Sequence, residues 1–102
     1  MSQDARRLLA QYGEDVHHPD VSAFELLDLL HTRSMLATLE AQLSTDERQR
    51  LEEADTQLLA AASAFLRRLI ELAPLPTLRR RANASPSHWW WYLERLQQTA
   101  RT

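Results

Sequence analysis

The sequence predicts an all-α protein, a small helical bundle forming one domain over residues 1–102, on three observations. Helix breakers are scarce, with one glycine and four prolines in 102 residues. Leucine, alanine, glutamate, glutamine and arginine, which favour helix, supply much of the chain. No segment shows the polar–apolar alternation with β-branched side chains that is typical of strands. Hydrophobic residues make up 44% and charged residues 25%, a globular composition that argues against disorder.

The first predicted helix is short and covers about residues 3–12. Leu8, Leu9 and Tyr12 form its apolar side. Gly13 follows at the position where a helix often ends in the left-handed conformation that glycine adopts without strain. We therefore expect a loop from Gly13 to Pro19.

The second predicted helix covers about residues 22–43, and its start is the clearest in the sequence. Ser22 and Glu25 have the spacing of a capping box, in which each side chain accepts a hydrogen bond from the backbone N–H of the other residue. An apolar stripe at helical spacing predicts the buried face. Its members are Leu26, Leu29, Leu30, Leu36, Leu39 and Leu43.

The third predicted helix covers about residues 45–73. Ser44 and Glu47 form a second capping-box pattern, and Pro74 ends the segment. Large apolar side chains recur at a seven-residue spacing, which favours long antiparallel packing against the second helix. They are Leu51, Leu58, Phe65 and Leu72.

A connector over residues 74–86 precedes the last predicted helix. Leu75 and Leu78 are expected to hold it against the core, with a short helical turn over residues 77–82. Ser85 is predicted as the N-cap and Pro86 as the first helical residue, where the missing N–H costs nothing. The C-terminal helix is then predicted over about residues 86–100.

The composition excludes several classes of protein. The chain has no cysteine, so a disulfide framework or thiolate metal site is excluded. It has no apolar stretch of membrane-spanning length and no apolar signal core at the N-terminus, which predicts a cytoplasmic protein without membrane association. Glycine-rich phosphate loops, nucleophile elbows and HExxH patterns are absent from the sequence. We therefore expect no enzymatic activity and no cofactor.

Histidine and carboxylate residues raise the question of a metal site in two places. His17 and His18 adjoin acidic residues in the first loop, but without the spacing of a known metal site. Asp28 and His31 share a helical face and resemble half of a bundle metal site whose second half is absent. A solvated loop and a surface histidine bonded to Asp28 explain both patterns, so no metal site is predicted.

The most unusual feature is the aromatic run at residues 88–92, His-Trp-Trp-Trp-Tyr. At about 100° per residue, Trp89 shares the apolar stripe of an α-helix with Leu93, Trp90 lies at its edge, and Trp91 lies on the opposite face. Three successive tryptophans cannot all face one core. Trp91 is thus expected to be covered by the folded-back connector, to stack on Arg95, or to bind a second copy, another protein or a nucleic-acid base.

The charges are unevenly distributed. Residues 1–60 hold five arginines against twelve acids, a net charge of −7, whereas residues 61–102 hold seven arginines against two acids, a net charge of +5. Two halves that compensate each other explain this asymmetry, and so does a basic end that binds an acidic partner. Arg79, Arg80 and Arg81 form the densest basic run.

Together these features predict a small non-enzymatic interaction or regulatory protein of the adaptor or antitoxin kind. It is expected to self-associate or to bind a larger protein through its Trp-rich C-terminal helix. Trp90, Trp91 and Arg95 are the predicted anchors, and Arg79, Arg80 and Arg81 the electrostatic component. The alternative is a nucleic-acid-binding protein in which the arginine run contacts phosphates and the adjacent tryptophans stack on bases.

Overall fold

The computed structural model describes residues 2–96, and all regular structure in that part of the chain is helical. The α-helices are α1 (Ser2–Asp15), α2 (Ala23–Leu39), α3 (Thr45–Ala60), α4 (Ala62–Leu69) and α5 (Leu75–Arg81). Two short 3-10 turns cover Glu40–Gln42 and Trp89–Tyr92, and residues 93–96 continue as helix. The predicted all-α bundle is confirmed. In the described segment, no helix combines the length and the apolarity needed to cross a bilayer.

Both predicted capping boxes are present. The Ser22 hydroxyl accepts a hydrogen bond from the Glu25 N–H at 3.2 Å, and the Glu25 carboxylate accepts one from the Ser22 N–H at 3.1 Å. Ser44 and Glu47 repeat this exchange at the start of α3, at 3.2 and 2.8 Å. The bond from the Ser44 backbone lowers the pKa of Glu47. Each box satisfies amide groups that the first turn of a helix otherwise leaves free.

The expected end of the first helix at Gly13 is wrong. Gly13 lies inside α1, which continues to Asp15, and its φ is not positive. The Val16 N–H donates to the Tyr12 carbonyl at 3.1 Å, so the helical bonding passes straight through the glycine. The Val16 side chain is fully buried. Burial of that side chain at the next turn offsets the helix penalty of about 1 kcal/mol for glycine.

The predicted third helix over residues 45–73 is divided. The chain leaves α-helical geometry at Ala61, with φ −101° and ψ 13°, and α4 ends at Leu69 rather than at residue 73. The side chains at seven-residue spacing nevertheless face the core across this break, since Leu51, Leu58 and Phe65 are all buried. On either side of the break the partners differ, since α3 packs mainly on α1 and α4 packs mainly on α2.

The second and third predicted helices run in opposite directions, as expected. Arg33 of α2 pairs with Asp55 of α3, and Arg68 of α4 donates to the Asp20 carbonyl just before α2. The apolar stripe of α2 faces the resulting core. Leu26, Leu29, Leu30 and Leu36 are each at most 1% exposed. From the connector, Leu75 and Leu78 join the same core, as predicted, and they do so from a complete short helix.

The predicted helix start at Ser85 and Pro86 is also wrong. The His88 N–H donates to the Ser85 carbonyl at 3.0 Å, which closes a turn with Pro86 at its second position. Proline suits that position because its ring fixes the φ that the turn requires. Regular structure resumes only at Trp89. Residues 97–100 of the predicted helix lie outside the described residues.

Candidate interaction site

The aromatic turn, Trp89–Tyr92, buries two tryptophans. Trp90 is 2% exposed and Trp91 is 1% exposed. The expectation that Trp91 cannot be buried with its neighbours is therefore wrong. Trp89, predicted as a core residue, is only half-buried, as is Tyr92.

The local geometry explains this exchange. The aromatic turn is a 3-10 helix, and the Trp91 N–H donates to the His88 carbonyl three residues back. At three residues per turn, Trp90 aligns with Leu93, and Trp91 occupies the next face. Trp91 lies between α2 on one side and residues 82–85 of the connector on the other. The faces of the aromatic turn that carry Trp90 and Trp91 are therefore both covered.

Ser34 of α2 holds both buried indoles. The Nε1 atoms of Trp90 and Trp91 each donate to its hydroxyl oxygen at 2.9 Å. The hydroxyl in turn donates to the Leu30 carbonyl at 3.2 Å. One serine thus uses its single donor and both acceptor positions, and it leaves neither buried indole N–H unsatisfied.

Behind the aromatic turn lies a buried polar cluster that joins three helices. Arg33 of α2 donates to both carboxylate oxygens of Asp55 in α3, at 2.9 and 3.1 Å. The Tyr12 hydroxyl of α1 donates to the same carboxylate at 2.6 Å. The Glu40 carboxylate forms a second ion pair with Arg33, at 3.1 Å. This cluster fixes how the three helices meet, because a bidentate pair tolerates little displacement.

Burial and charge set the protonation states of this cluster. Burial, reinforced by Asp55, raises the pKa of Tyr12 far above its ordinary value, so the phenol stays neutral. Burial opposes the charge of Arg33, but the hydrogen bond and charge of Asp55 outweigh it and raise the pKa of Arg33. The cluster is thus one cation, its carboxylates and a neutral phenol.

The Trp90 ring contacts the guanidinium of Arg33 and the imidazole of His88. The Arg33 guanidinium lies 4.2 Å from its ring centroid, and the His88 imidazole stacks on it at 4.5 Å with an interplanar angle of 22°. The Nη1 atom of Arg33 is buried without a hydrogen-bond acceptor among the described residues. The indole face meets this guanidinium and provides the cation–π contact instead.

The three predicted arginines of the basic run are not equivalent. Arg79 is largely buried and donates to the Trp91 carbonyl at 2.8 Å and to Glu94 at 3.0 Å, while its guanidinium lies 4.3 Å from the Tyr92 ring. Arg80 and Arg81 are exposed. The positive charge that α5 presents to solvent therefore comes from Arg80 and Arg81, since Glu94 compensates Arg79.

The proposed stacking of Arg95 on Trp91 is wrong. The Arg95 guanidinium lies 5.2 Å from the ring of Tyr92, and its Nε lies 3.8 Å from Glu94. Trp91 instead meets His31 of α2 edge to face, at 5.1 Å between ring centroids. Arg95 thus contacts Tyr92 and Glu94, and the ring that meets Trp91 is that of His31.

Above Trp91, a groove of about 410 Å³ opens between α2 and the connector. One wall is formed by His31, Met35 and other residues of α2, and the opposite wall by residues 82–85 and His88. Along the described chain, no carboxylate lines this groove. Arg80 and Arg81 immediately precede the second wall. The groove is thus apolar at its floor, with imidazole groups in its walls and cationic side chains beside it.

The second wall is positioned by the end of α5. Asn83 has a φ of 51°, in the left-handed region. The Ala84 N–H donates to the Arg79 carbonyl at 3.2 Å, and the Asn83 N–H donates to the Arg80 carbonyl at 3.1 Å. This is a Schellman motif, in which asparagine takes the place usually held by glycine. This turn places residues 82–85 opposite α2, where they form the second wall of the groove.

The first loop shows no metal-binding arrangement. His18 meets Glu14 one turn earlier at 3.1 Å, and both side chains are exposed. Burial, with the neighbouring Glu14, raises the pKa of Asp15 nearby. Over residues 2–96, no three His, Asp or Glu residues are grouped so that they could hold a metal ion.

The sequence interpretation missed the residues at the centre of this region. Arg33, Ser34, Asp55 and His88 were given no role. A signal for Arg33 was present, because it lies seven residues after Leu26 and so on the buried stripe of α2. Comparison of the chain with protein-family models, with curated proteins and with solved structures finds no match.

Proposed function

We propose that this chain is a non-enzymatic interaction protein that binds an acidic segment of a protein partner in the groove above Trp91. The observation that carries this proposal is the lining of the groove. It offers Met35, which is 54% exposed, for apolar side chains and imidazole groups for polar ones, while the almost inaccessible Trp91 lies beneath them. Surface grooves with an apolar floor and a polar rim are typical of peptide-binding sites.

The charges favour an acidic segment as the occupant. The lining has no carboxylate among the described residues, and the exposed Arg80 and Arg81 lie beside one wall. The Asp and Glu side chains of a bound peptide would meet these guanidinium groups at the rim, where charges mainly raise the association rate and set specificity. The apolar side chains of the same peptide would contact Met35 and Ala84, because Trp91 is only 1% exposed and lies beneath them.

The absence of enzymatic activity remains part of the proposal, and the location of the titratable groups supports it. Arg33, Asp55 and Tyr12 bond to one another behind the aromatic turn, and none of the three lines the groove. A group that satisfies its neighbours inside the core is not placed to act on a bound substrate. The nucleic-acid alternative loses support because Arg79 is paired with Glu94.

A peptide selection tests the proposal directly. The full chain is immobilised, and a phage-displayed library of random peptides is selected against it. We expect enriched sequences that combine a large apolar residue with Asp or Glu. Ala84→Glu places bulk and negative charge in the groove wall, so this variant should lose binding of the selected peptides.

Leu59→Glu, which introduces the same side chain away from the groove, serves as the matched control. Leu59 is 45% exposed on α3 and lies outside the groove, so this variant should bind the selected peptides as the wild type does. A selection that enriches no sequence would overturn the proposal. Peptides that bind the Ala84→Glu variant with unchanged affinity would do the same.

A further inference from the structure

The outward face of α2 carries a self-complementary pattern of side chains. Phe24, Asp28, His31 and Met35 are all exposed. At about 100° per residue these four lie within about 60° of one another, on the face opposite the buried leucines. Phe24 is 69% exposed and Met35 is 54% exposed, so both present a large apolar side chain on this face. We call these four residues the α2 seam.

The spacing of the α2 seam is that of a coiled-coil interface. Intervals of four, three and four residues alternate as the a and d positions of a heptad do. The pattern also reads the same in both directions, with a large apolar residue at each end and an ionisable residue at each inner position. This symmetry matters, because a two-fold axis makes each residue of one copy face a different residue of the other.

We propose that a second copy of this chain docks on the α2 seam, with the two α2 helices antiparallel and the two-fold axis between Leu29 and Leu30. In that register Phe24 of each copy packs on Met35 of the other. Asp28 of each copy faces His31 of the other. Both contacts occur twice, so the interface pairs apolar with apolar and carboxylate with imidazole throughout.

A parallel arrangement would not do this. It would place Asp28 against Asp28, where like charges in contact are destabilising, and His31 against His31 instead of against a carboxylate. A partner of single charge sign does not fit either, because the α2 seam carries an acid and an imidazole side by side. Charge complementarity therefore selects a second copy in the antiparallel register.

This inference goes beyond the proposed peptide groove, although the two surfaces adjoin on α2. Phe24 and Asp28 take no part in lining the groove, whereas His31 and Met35 belong to its α2 wall. In the dimer, Phe24 of one copy would therefore lie beside the groove of the other. Self-association also benefits a chain of 102 residues, because a small domain buries a limited share of its apolar surface.

Sedimentation velocity of the full chain over a range of concentrations tests the proposal. We expect a concentration-dependent shift from monomer to dimer. Phe24→Glu should raise the dissociation constant by about thirty-fold or more, as expected for an apolar anchor used twice. Leu59→Glu, which introduces the same charge at an exposed leucine of α3, should leave the constant unchanged. Circular dichroism confirms that both variants are folded.

The register is tested by a charge exchange and by cross-linking. Asp28→His or His31→Asp alone should weaken the dimer, and the double variant should restore it, because it forms the same pairs in reverse. The chain contains no cysteine, so Phe24→Cys and Met35→Cys chains can be mixed and joined by a short bismaleimide. Mixed products should dominate, because positions 24 of the two copies would lie about 16 Å apart along the helices.

Several results would overturn the proposal. They are a monomer at every concentration, a dimer that tolerates Phe24→Glu, a double variant as weak as the single ones, and cross-linking that joins like positions. Phe24→Glu changes no residue that lines the groove, so its effect on the dimer is separate from the groove's own test, which is peptide binding and its loss in Ala84→Glu. A monomer that still binds the selected peptides would refute the dimer alone.

Discussion

Replacing Asp55 by alanine removes the anion that three helices share. The Asp55 carboxylate accepts bonds from Arg33 at 2.9 and 3.1 Å and from the Tyr12 hydroxyl at 2.6 Å. The Arg33 side chain is only 5% exposed. After the substitution its charge remains in the core with Glu40 as the main compensating anion.

The expected loss follows from this geometry. Removing one partner of a buried ion pair costs about 3–5 kcal/mol, and an unpaired tyrosine hydroxyl adds about 1 kcal/mol. Glu40 offsets part of this, although at 44% exposure its charge is screened by solvent. We expect Asp55→Ala to lower the free energy of unfolding by about 3–4 kcal/mol, a large share of the about 5–10 kcal/mol typical of a small domain.

The loss is measured by urea denaturation followed by far-ultraviolet circular dichroism, which reports helix content. Glu53→Ala is the matched control, since Glu53 is an exposed carboxylate on the same helix and should change stability by at most about 0.5 kcal/mol. If Asp55→Ala costs less than about 1 kcal/mol with an unchanged denaturant slope, the cluster does not hold the helices together and the reasoning is refuted.

Three further predictions concern single residues. The raised pKa of Tyr12 keeps its phenol neutral in the folded state. The free energy of unfolding is therefore retained below about pH 10 and falls above it by about 1.4 kcal/mol per pH unit, because the tyrosine ionises in the unfolded chain. Tyr12→Phe should remove that slope in urea denaturation at several pH values. Ser34→Ala leaves two buried indole N–H groups without an acceptor and should cost about 2–4 kcal/mol by urea denaturation, whereas Thr38→Ala at an exposed hydroxyl should cost far less. Asn83→Ala should destabilise the protein by about 1 kcal/mol and Asn83→Gly should stabilise it slightly, because the left-handed conformation penalises a β-carbon; equal thermal midpoints for the two variants would contradict this.

Local signals in the sequence predicted most of the helical structure. The two capping boxes depend on residues three positions apart, so neither needs tertiary information. The leucine stripe of α2 and the burial of Leu75 and Leu78 likewise follow from spacing. The errors arose where packing overrides a local preference. Gly13 stays helical because Val16 is buried beyond it, and the break at Ala61 redirects a helix whose heptad pattern continues across it.

The candidate site was harder to predict than the helices. The aromatic run is evident in the sequence, but the sequence predicts an α-helix beginning at Pro86, and that helix gives different angles between the side chains of the run. A turn at residues 85–88 delays the helix, and a 3-10 geometry then changes which faces Trp90 and Trp91 occupy. Their shared acceptor, Ser34, lies more than fifty residues earlier in the chain. No local pattern relates two segments so far apart.

The sequence by itself thus determined that the chain is helical, where the first three helices begin, and that the leucine stripe of α2 faces the core, because caps and apolar periodicity act over one or two turns. Only the tertiary structure decided that Trp90 and Trp91 are buried, that Glu94 compensates Arg79, and that Arg33, Asp55 and Tyr12 share one cluster. These outcomes depend on which surfaces meet across distant segments. The physical reason is that burial and charge compensation are properties of the packed chain, whereas helix propensity is a property of neighbouring residues.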